Sequence, residues 1–330
     1  MFNLLNKLKV FISAHLGRDT KIHAFLRKIY KSIFRLRAKN LSGDIKKLEK
    51  ALAGSLVSRI TKPENLAGVV IEIGSKKLWW KDPTDPNHLL SIIVLTDGGE
   101  FEPQETNLFS KLIKPQDTVL DIGANFGWHS LTFAKLASAG QVICFEPDEK
   151  TYTELKTNIE LSLNKDEQSR VKLEKLALGD DNKEVSLFVP KLLGAAFASV
   201  MPDYYEGFSG GDETEKIEMK KLDTYLEEKN ITKIDFIKCD VEGAPHLVVG
   251  GARNLLSRED APLLFVEITK RNPDEFNTFN LLENLGYQSF VLRDNKLIKI
   301  NKDDLDDKMT DYNFLFAKKN HLSKIESLIK

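Results

Sequence analysis

Short runs of consecutive apolar residues alternate along the chain with longer stretches in which apolar positions recur three or four residues apart. The runs are typical of strands buried on both faces of a parallel sheet, and the spaced pattern is typical of helices. The runs that predict core strands lie at 119–122, 141–147, 233–239 and 263–268. The stretches that predict helices lie at 105–112, 130–137, 149–163, 245–256 and 275–285. Strands separated by helices pair in parallel, so the pattern predicts an α/β fold.

Further apolar runs extend this alternation. They predict strands at 171–177, 185–189, 217–222, 289–292 and 313–317. No convincing helix joins the last two, which predicts an antiparallel edge of the sheet. The stretch 191–212 is irregular and rich in glycine and aromatic residues, and loops of this length are usually functional or disordered. We expect it to cover a substrate, with Tyr204 and Tyr205 as contacts.

Before residue 105 the pattern changes twice. Residues 61–104 predict a small β-rich lead-in, with strands at 69–73, 77–81 and 91–95. Residues 1–60 predict a helical extension, with a basic amphipathic helix over 22–34 and a second helical pattern over 44–60. The large α/β domain is expected over 105–320.

Charge is distributed unevenly between these parts. Residues 1–60 contain 14 basic and three acidic residues, a net charge of +11, which leaves −12 for the other 270 residues of a chain whose net charge is −1. A basic amphipathic segment suits either an anionic membrane surface or packing on the domain with its charges in water. Both readings stay open. Nucleic acid is not expected as a partner, because the aromatic residues lie in the apolar stripe rather than among the lysines.

The cysteines and the distribution of apolar residues predict the cellular compartment. The chain has two cysteines, Cys144 and Cys239, and each falls inside a predicted buried strand, so both are expected to be core residues of a reducing compartment. No run of 18 apolar residues is present, and Lys7 and Lys9 interrupt the first 16 residues. We therefore expect neither a membrane span nor a signal peptide. The expected location is the cytoplasm, either free or on the inner membrane face.

The first core strand runs into a glycine loop that precedes a helix, a usual place for a nucleotide-like ligand in an open α/β sheet. Gly123 and Gly127 flank Asn125, which stands where a dinucleotide fingerprint needs its second glycine. This departure counts against NAD. Asp121 at the strand end is placed to face a cationic group, such as the amino group of S-adenosylmethionine. Glu146, which ends the next strand before Pro147, is placed to bind both hydroxyls of a ribose.

With these residues and the later turn Asp240-Val241-Glu242-Gly243-Ala244, the chain resembles the FkbM family of S-adenosylmethionine-dependent methyltransferases. The motifs that carry the resemblance are D-I-G-A-N-F-G at 121–127, F-E-P at 145–147, Asn158, A-L-G-D at 177–180, A-S-V at 198–200, L-D-T at 222–224, K-C-D-V-E-G-A at 238–244 and G-G-A at 250–252. They occur in family order over residues 98–318. One position departs from the family pattern, since Pro245 stands where an acidic residue is expected.

The resemblance implies a Rossmann-like class I methyltransferase fold, with a mostly parallel seven-stranded sheet and an antiparallel edge. It implies S-adenosylmethionine as cofactor and a hydroxyl of a sugar, glycan or related natural product as acceptor. The residues that it assigns to the cofactor are Asp121, Gly123, Asn125, Gly127, Glu146, Pro147, Ala177, Leu178 and Asp240.

Methyl transfer to a hydroxyl requires a group that orients the acceptor and takes its proton. The candidates for catalysis at the carboxyl ends of the strands are Asp240, Glu242, Lys238 and His129, with Asp240 and Glu242 favoured. Glu267 and His246 are candidates for substrate contact. No Cys/His cluster with metal-ligand spacing is present, and a metal is not expected.

Two alternatives remain beside a sugar O-methyltransferase. One is an RNA ribose 2′-O-methyltransferase, which the basic residues 1–60 could serve. A non-catalytic module that binds adenosylmethionine would be expected only if the acids were absent. A base N-methyltransferase is disfavoured, because the turn after the strand reads Cys-Asp-Val-Glu-Gly rather than Asn/Asp-Pro-Pro-aromatic.

Overall fold

A computed structural model of the chain describes residues 52–82, 90, 99–190, 195–202, 212–269, 273–302 and 313–330. These residues belong to two compact units, and the larger one begins at Glu102. Several predicted features lie outside the described residues, namely the basic helix at 22–34, the strand at 91–95, and Tyr204 and Tyr205. Within the described residues, no helix combines the length and the apolar composition that crossing a membrane requires.

The smaller unit contains a three-stranded antiparallel sheet in the order β1-β2-β3. Its strands are β1 (Val57–Thr61), β2 (Val69–Ile73) and β3 (Lys76–Trp80). The helical pattern predicted up to Ile60 is therefore wrong over its last residues, where Ile60 pairs with Ile71 of β2. Val57, Ile60 and Thr61 are β-branched, and pairing with a buried neighbour strand favours such residues in the extended conformation.

The larger unit is an α/β structure. Its strands are β4 (Thr118–Ile122), β5 (Gln141–Phe145), β6 (Val171–Glu174), β7 (Ala177–Leu178), β8 (Lys183–Pro190), β9 (Asp212–Lys220), β10 (Phe236–Cys239), β11 (Leu263–Glu267), β12 (Gln288–Arg293), β13 (Lys296–Ile300) and β14 (Asn313–Ala317). Its α-helices are α1 (Pro103–Leu112), α2 (Trp128–Leu136), α3 (Glu149–Ser162), α4 (Lys165–Ser169), α5 (Leu222–Glu228), α6 (Pro245–Gly250), α7 (Arg253–Ser257), α8 (Asn277–Asn284) and α9 (Leu322–Ile325).

The main sheet has the strand order β13-β12-β14-β11-β10-β4-β5-β6. The five strands from β11 to β6 are parallel, and β14 pairs antiparallel with both β11 and β12. A mostly parallel sheet with an antiparallel edge is confirmed. The sheet has eight strands rather than seven, because Asp294 and Asn295 form a turn with positive φ that folds β13 back onto β12. Two-residue turns with positive φ usually connect the two strands of a β-hairpin.

A second sheet contains three strands that the apolar pattern assigned to the central alternation. Its order is β7-β9-β8. The run 171–177 is divided, because β6 ends at Glu174 and Ala177 pairs instead with Met219 of β9. Leu222, predicted as the end of a strand, is the first residue of α5. Local apolar runs identify strands but do not tell which sheet they join, since pairing depends on distant partners.

The helix predicted over 245–256 is divided into α6 and α7 at Gly251. A Cβ atom at Gly251 would lie 1.9 Å from the carbonyl oxygen of Gly179, so only glycine fits between the two segments. The G-G-A motif at 250–252 and the A-L-G-D motif at 177–180 therefore pack against each other.

The two faces of β10 have different surroundings, because successive side chains of a strand point to opposite faces. Ile237 and Cys239 belong to the apolar core that also contains residues of α5, α6 and α8. Phe236 belongs to the other face, where its ring lies 5.6 Å from that of Phe109 in α1. Lys238 shares the face of Phe236, so the lysine points toward the side of the sheet that α1 covers.

Candidate active site

The carboxyl ends of four adjacent parallel strands bring most of the predicted site residues to one edge of the main sheet. Asp121 of β4 lies beside Lys238 of β10 on one side and Cys144 of β5 on the other. Glu146 follows β5 directly, and Asp240 follows β10. Glu267 is the last residue of β11. These strands pair in parallel, as predicted, and the residues at their carboxyl ends therefore meet at one edge of the sheet.

The glycine loop after β4 lies against the turn after β10. Gly123 and Ala124 both donate their backbone N–H groups to the carbonyl oxygen of Phe145, each at 3.0 Å. Gly123 has a φ of 78°, and a Cβ atom there would lie 1.8 Å from the carbonyl oxygen of Asp240. Glycine at this position therefore permits contact between two protein loops, in addition to the ligand approach expected from sequence.

Asp121 is completely buried behind the glycine loop. Its Oδ2 accepts a hydrogen bond of 2.6 Å from the Ser130 hydroxyl, at the start of α2. Among the described residues, its Oδ1 has no hydrogen-bond donor. Because an unsatisfied buried carboxylate oxygen is costly, this atom suits a donor supplied by a ligand, such as an ammonium group.

Glu146 is held by two backbone N–H groups. Asn125 donates to Oε2 at 2.9 Å, and Asp148 donates to Oε1 at 3.0 Å. Burial, together with the negative charges of Asp148 and Asp121, raises the pKa of Glu146 to about 8, although the two N–H donors favour the charged form. Each oxygen keeps a second lone pair, so the carboxylate can still accept hydrogen bonds from a ribose.

Ala177 and Leu178 are also predicted to bind the cofactor, but they differ from Glu146 in how they could contact it. The side chains of Ala177 and Leu178 are buried in the second sheet, so any contact with a cofactor would come from their backbone. Pro147 is partly exposed after Glu146.

Asn158, a motif residue without an expected role, is buried and donates from Nδ2 to the carbonyl oxygen of Phe126 at 2.8 Å. That bond fixes the glycine loop to α3.

Three carboxyl groups surround the end of β10. One oxygen from each of Asp240, Glu242 and Glu267 lies within 4.8 Å of the others. The Lys238 ammonium donates to Oδ2 of Asp240 at 3.0 Å. The lysine side chain is 6% exposed and that of Asp240 is 29% exposed, so the aspartate connects a buried cation with the open side of the site.

The protonation states of this group follow from its charges. Burial opposes the charge of Lys238, but Asp240, Asp121 and Glu102 outweigh it and raise the pKa of the lysine. Burial and the negative charge of Asp240 raise the pKa of Glu267 well above its ordinary value. Burial also acts against the charge of Asp240, yet Lys238 and a hydrogen bond with Glu267 lower its pKa. The surroundings therefore favour the charged forms of Asp240 and Lys238 and the neutral form of Glu267.

Within the described parts of the chain, one group of acids has the donor set for a divalent cation. It consists of Asp240, Glu242 and Glu267. Lys238 already places a positive charge beside Asp240, and burial together with Asp240 raises the pKa of Glu267. The site therefore balances the charge of Asp240 with groups of its own.

His129 is paired with an acid from another part of the chain. Its Nε2 lies 2.6 Å from Oε2 of Glu102, the residue before α1. Phe109 of α1 contacts the histidine ring edge to face at 5.3 Å. The interaction joins the start of α1 to the first turn of α2. No local sequence signal indicates this pair, because Glu102 precedes α1 whereas His129 lies in α2.

Three residues other than glycine adopt left-handed backbone conformations at this end of the sheet. They are Glu102, Asn125 and Glu242, with φ values of 46°, 52° and 46°. Such conformations are unfavourable for residues with a Cβ atom and tend to be concentrated at functional sites.

His246, predicted to contact the substrate, follows the turn that contains Asp240 and Glu242. It is half-buried in the first turn of α6, and burial lowers its pKa against the opposing charges of Asp274 and Asp180. Its Nδ1 is buried and has no hydrogen-bond partner among the described residues. Its contact with a substrate stays a prediction.

A family model described as the methyltransferase FkbM domain matches residues 121–289, just over half of the chain. The chain belongs to the FkbM methyltransferase family. The family match agrees with the resemblance that the motifs carry.

Among curated proteins, this methyltransferase is similar to the 2-O-methyltransferase NoeI of Sinorhizobium fredii. The two are 27% identical over 163 residues, which cover 46% of this chain and 63% of NoeI. Among solved structures, it is similar to methyltransferase FkbM from Methylobacillus flagellatus, with 16% identity, a TM-score of 0.44, and coverage of 89% of this chain and 60% of that one.

A second solved structure is an O-methyltransferase from Bacillus cereus in complex with S-adenosylhomocysteine. It has 15% identity, a TM-score of 0.40, and coverage of 66% of this chain and 81% of that one. The methyltransferase thus spans less than two thirds of the length of NoeI and of the Methylobacillus protein.

The residues at the sheet edge fit S-adenosylmethionine. Gly123 and Gly127 turn the loop beside β4 with positive φ, Glu146 offers two acceptor oxygens, and Asp121 has a buried oxygen that needs a donor. These three features match a nucleoside with two ribose hydroxyls and an amino group.

Proposed function

We propose that this FkbM methyltransferase methylates a hydroxyl group of a sugar or glycan. The observation that carries the proposal is the ionised Asp240 beside Glu242 in the turn that touches the glycine loop at Gly123. A hydroxyl acceptor must lose its proton as its oxygen attacks, and carboxylates next to the cofactor loop are suited to that task. The cofactor supplies a methyl group bound to a positively charged sulfur.

In this proposal, Asp240 orients the acceptor and Glu242 takes its proton. Asp240 accepts a hydrogen bond from the acceptor hydroxyl, because Lys238 and the proton on Glu267 keep the aspartate ionised. A base with a lowered pKa is a poor proton acceptor, so the transfer falls to Glu242 in the same group. Lys238 and Glu267 act through Asp240 as positioning residues.

The proposed sugar acceptor rests on two supports. Two acidic side chains close together can accept hydrogen bonds from neighbouring hydroxyls of one ring, and such pairs of hydroxyls are typical of sugars. The relative NoeI is named a 2-O-methyltransferase. We also propose that Asp121, Gly123, Asn125, Gly127 and Glu146 bind the cofactor, with Glu146 on the ribose.

The test is methyl transfer by the purified protein. S-adenosylmethionine with an isotope-labelled methyl group is incubated with methyl glycosides of neutral hexoses and 6-deoxyhexoses, with nucleotide-linked sugars, and with RNA. We expect label on a sugar oxygen, located by mass spectrometry of the product. Cell-envelope glycans from cells with and without the gene should then differ by one methyl group. Label on RNA ribose and on none of the sugars would refute the proposal.

We also propose that the basic residues 1–60 contact the anionic cytoplasmic face of a membrane. Their net charge of +11 supports this, because each basic residue near such a surface contributes about 1 kcal/mol and is screened by salt. The intact protein should co-sediment with vesicles rich in phosphatidylserine at low salt and dissociate at high salt. Sedimentation equal to that with neutral phosphatidylcholine vesicles would contradict the proposal.

A further inference from the structure

Ser199, the centre of the A-S-V motif, has no part in the chemistry described so far. It is 3% exposed and lies beside the second sheet. Its N–H donates to the carbonyl oxygen of Phe188 at 3.0 Å, and its own carbonyl oxygen accepts from the N–H of Phe188 at 2.8 Å. These two bonds fix the backbone of Ser199 against β8.

The hydroxyl of Ser199 reaches the turn that follows β10. It donates to the carbonyl oxygen of Glu242 at 2.5 Å and accepts from the N–H of Met201 at 3.1 Å. The bond to Glu242 joins two segments 43 residues apart in the sequence. The second sheet thereby supports the backbone of the residue that we propose as the proton acceptor.

Glu242 needs such support because of its conformation. Its φ is 46°, and Gly243 follows with a φ of 95°, so two successive residues have left-handed backbone. Glycine adopts this region readily, whereas a residue with a Cβ atom does so at a cost. Without a bond that holds its carbonyl group, Glu242 would relax toward other conformations and move its carboxylate.

We propose that Ser199 is a positioning residue that holds Glu242 in place for proton transfer. The proposal rests on the proposed function, because it takes Glu242 as the group that accepts the proton of the acceptor. It assigns the second sheet a function, namely to present Ser199 to the turn after β10.

The test compares Ser199→Ala with a matched control, Ser289→Ala. Ser289 is also 3% exposed and donates its hydroxyl to a backbone carbonyl oxygen, that of Ile300 at 2.7 Å, but it lies at the antiparallel edge. Ser199→Ala loses two hydrogen bonds and Ser289→Ala loses one, so the melting temperature should fall in both variants and somewhat further in Ser199→Ala. Ser199→Ala should lower kcat about fivefold to tenfold on the best sugar of the panel above, while Ser289→Ala keeps the wild-type kcat.

Two measurements separate positioning from loss of structure. In a Glu242→Gln background, Ser199→Ala should cost less than twofold in kcat, because its effect passes through the carboxylate that is already absent. Backbone hydrogen exchange at Glu242, Gly243 and Ala244 should be about tenfold faster in Ser199→Ala than in Ser289→Ala. The affinity for S-adenosylhomocysteine should be unchanged.

Equal kcat values for wild type and Ser199→Ala would overturn the proposal, as would additive effects of the two substitutions. Unchanged exchange in residues 242–244 would do the same. If the wild-type protein transfers no methyl group to any sugar, the proposed function fails, and the exchange rates still decide whether Ser199 holds the turn.

Discussion

Glu146 makes cofactor binding depend on pH in a way that can be measured. Its pKa is raised to about 8, so in the free enzyme the carboxyl group is mostly protonated at pH 7. A charged carboxylate accepts stronger hydrogen bonds from the two ribose hydroxyls than a neutral acid does. Binding should therefore favour the ionised form and release a proton. The affinity should rise with pH until the free enzyme is itself ionised.

The magnitude follows from the two hydrogen bonds. Bonds to a charged group contribute about 1.5 to 3 kcal/mol, against about 0.5 to 1.5 for neutral pairs, so two bonds differ by about 2 kcal/mol. That difference is about 30-fold in the dissociation constant and lowers the pKa of Glu146 in the complex to roughly 6.5. Affinity should rise about 20-fold between pH 6 and 8.5, most of the 30-fold limit. Near pH 7.2, binding should release about 0.7 proton.

The assay is isothermal calorimetry with 5′-methylthioadenosine, which keeps the ribose and has no amino or carboxyl group that titrates. Repeating each titration in buffers of different ionisation enthalpy gives the number of protons released. Glu146→Gln is the control, because it keeps one acceptor oxygen and cannot ionise. The variant should bind with an affinity that does not change between pH 6 and 8.5.

Other acids near Glu146 must be separated from its effect. Asp148 and Asp121 are the negative charges that act on it, and the N–H groups of Asn125 and Asp148 are its donors. A proton release that persists in Glu146→Gln would belong to one of these neighbours. A wild-type dissociation constant that stays constant from pH 6 to 8.5, with equal heats in all buffers, would refute the assignment of the ribose to Glu146.

Three further predictions concern the group around Asp240. Asp240→Asn and Glu242→Gln should each lower kcat about 100-fold while calorimetry shows unchanged binding of S-adenosylhomocysteine; wild-type turnover in both would remove them from the mechanism. Glu267→Gln should keep more than about a third of kcat, since an amide can donate to Asp240 as the protonated acid does. In Glu267→Leu, kcat should fall at least tenfold. Equal losses of kcat in the two variants would contradict a proton on Glu267. Dialysis against EDTA should leave turnover unchanged, because Lys238 balances the charge of Asp240; loss of activity restored by Mg²⁺ would show the opposite.

The sequence predicts the parts of the fold that depend on local patterns. Continuous apolar runs identify β4, β5, β10 and β11, because strands buried on both faces have no polar positions. Parallel pairing then places Asp121, Glu146, Asp240 and Glu267 at one edge, which makes most of the site predictable. The acids are close because their strands are neighbours.

The features that the sequence does not predict depend on distant partners. Whether Ala177 joins the main sheet or pairs with Met219 is decided 42 residues later in the chain. The pairing of His129 with Glu102 and the bond from Ser199 to Glu242 each join different elements. The protonation of Glu267 likewise arises from Asp240, a residue of another strand. No window of neighbouring residues contains such information.

The contact between Gly123 and the carbonyl oxygen of Asp240 has a consequence for how this enzyme can change. Any side chain at Gly123 would push apart the loop after β4, which we propose to bind the cofactor, and the turn after β10, which we propose to bind the acceptor, because the two backbones touch there. A single substitution would disturb both halves of the reaction together. New acceptor preferences must therefore arise through residues further along the turn, such as Glu242, or through segments that surround it, while the junction itself stays fixed.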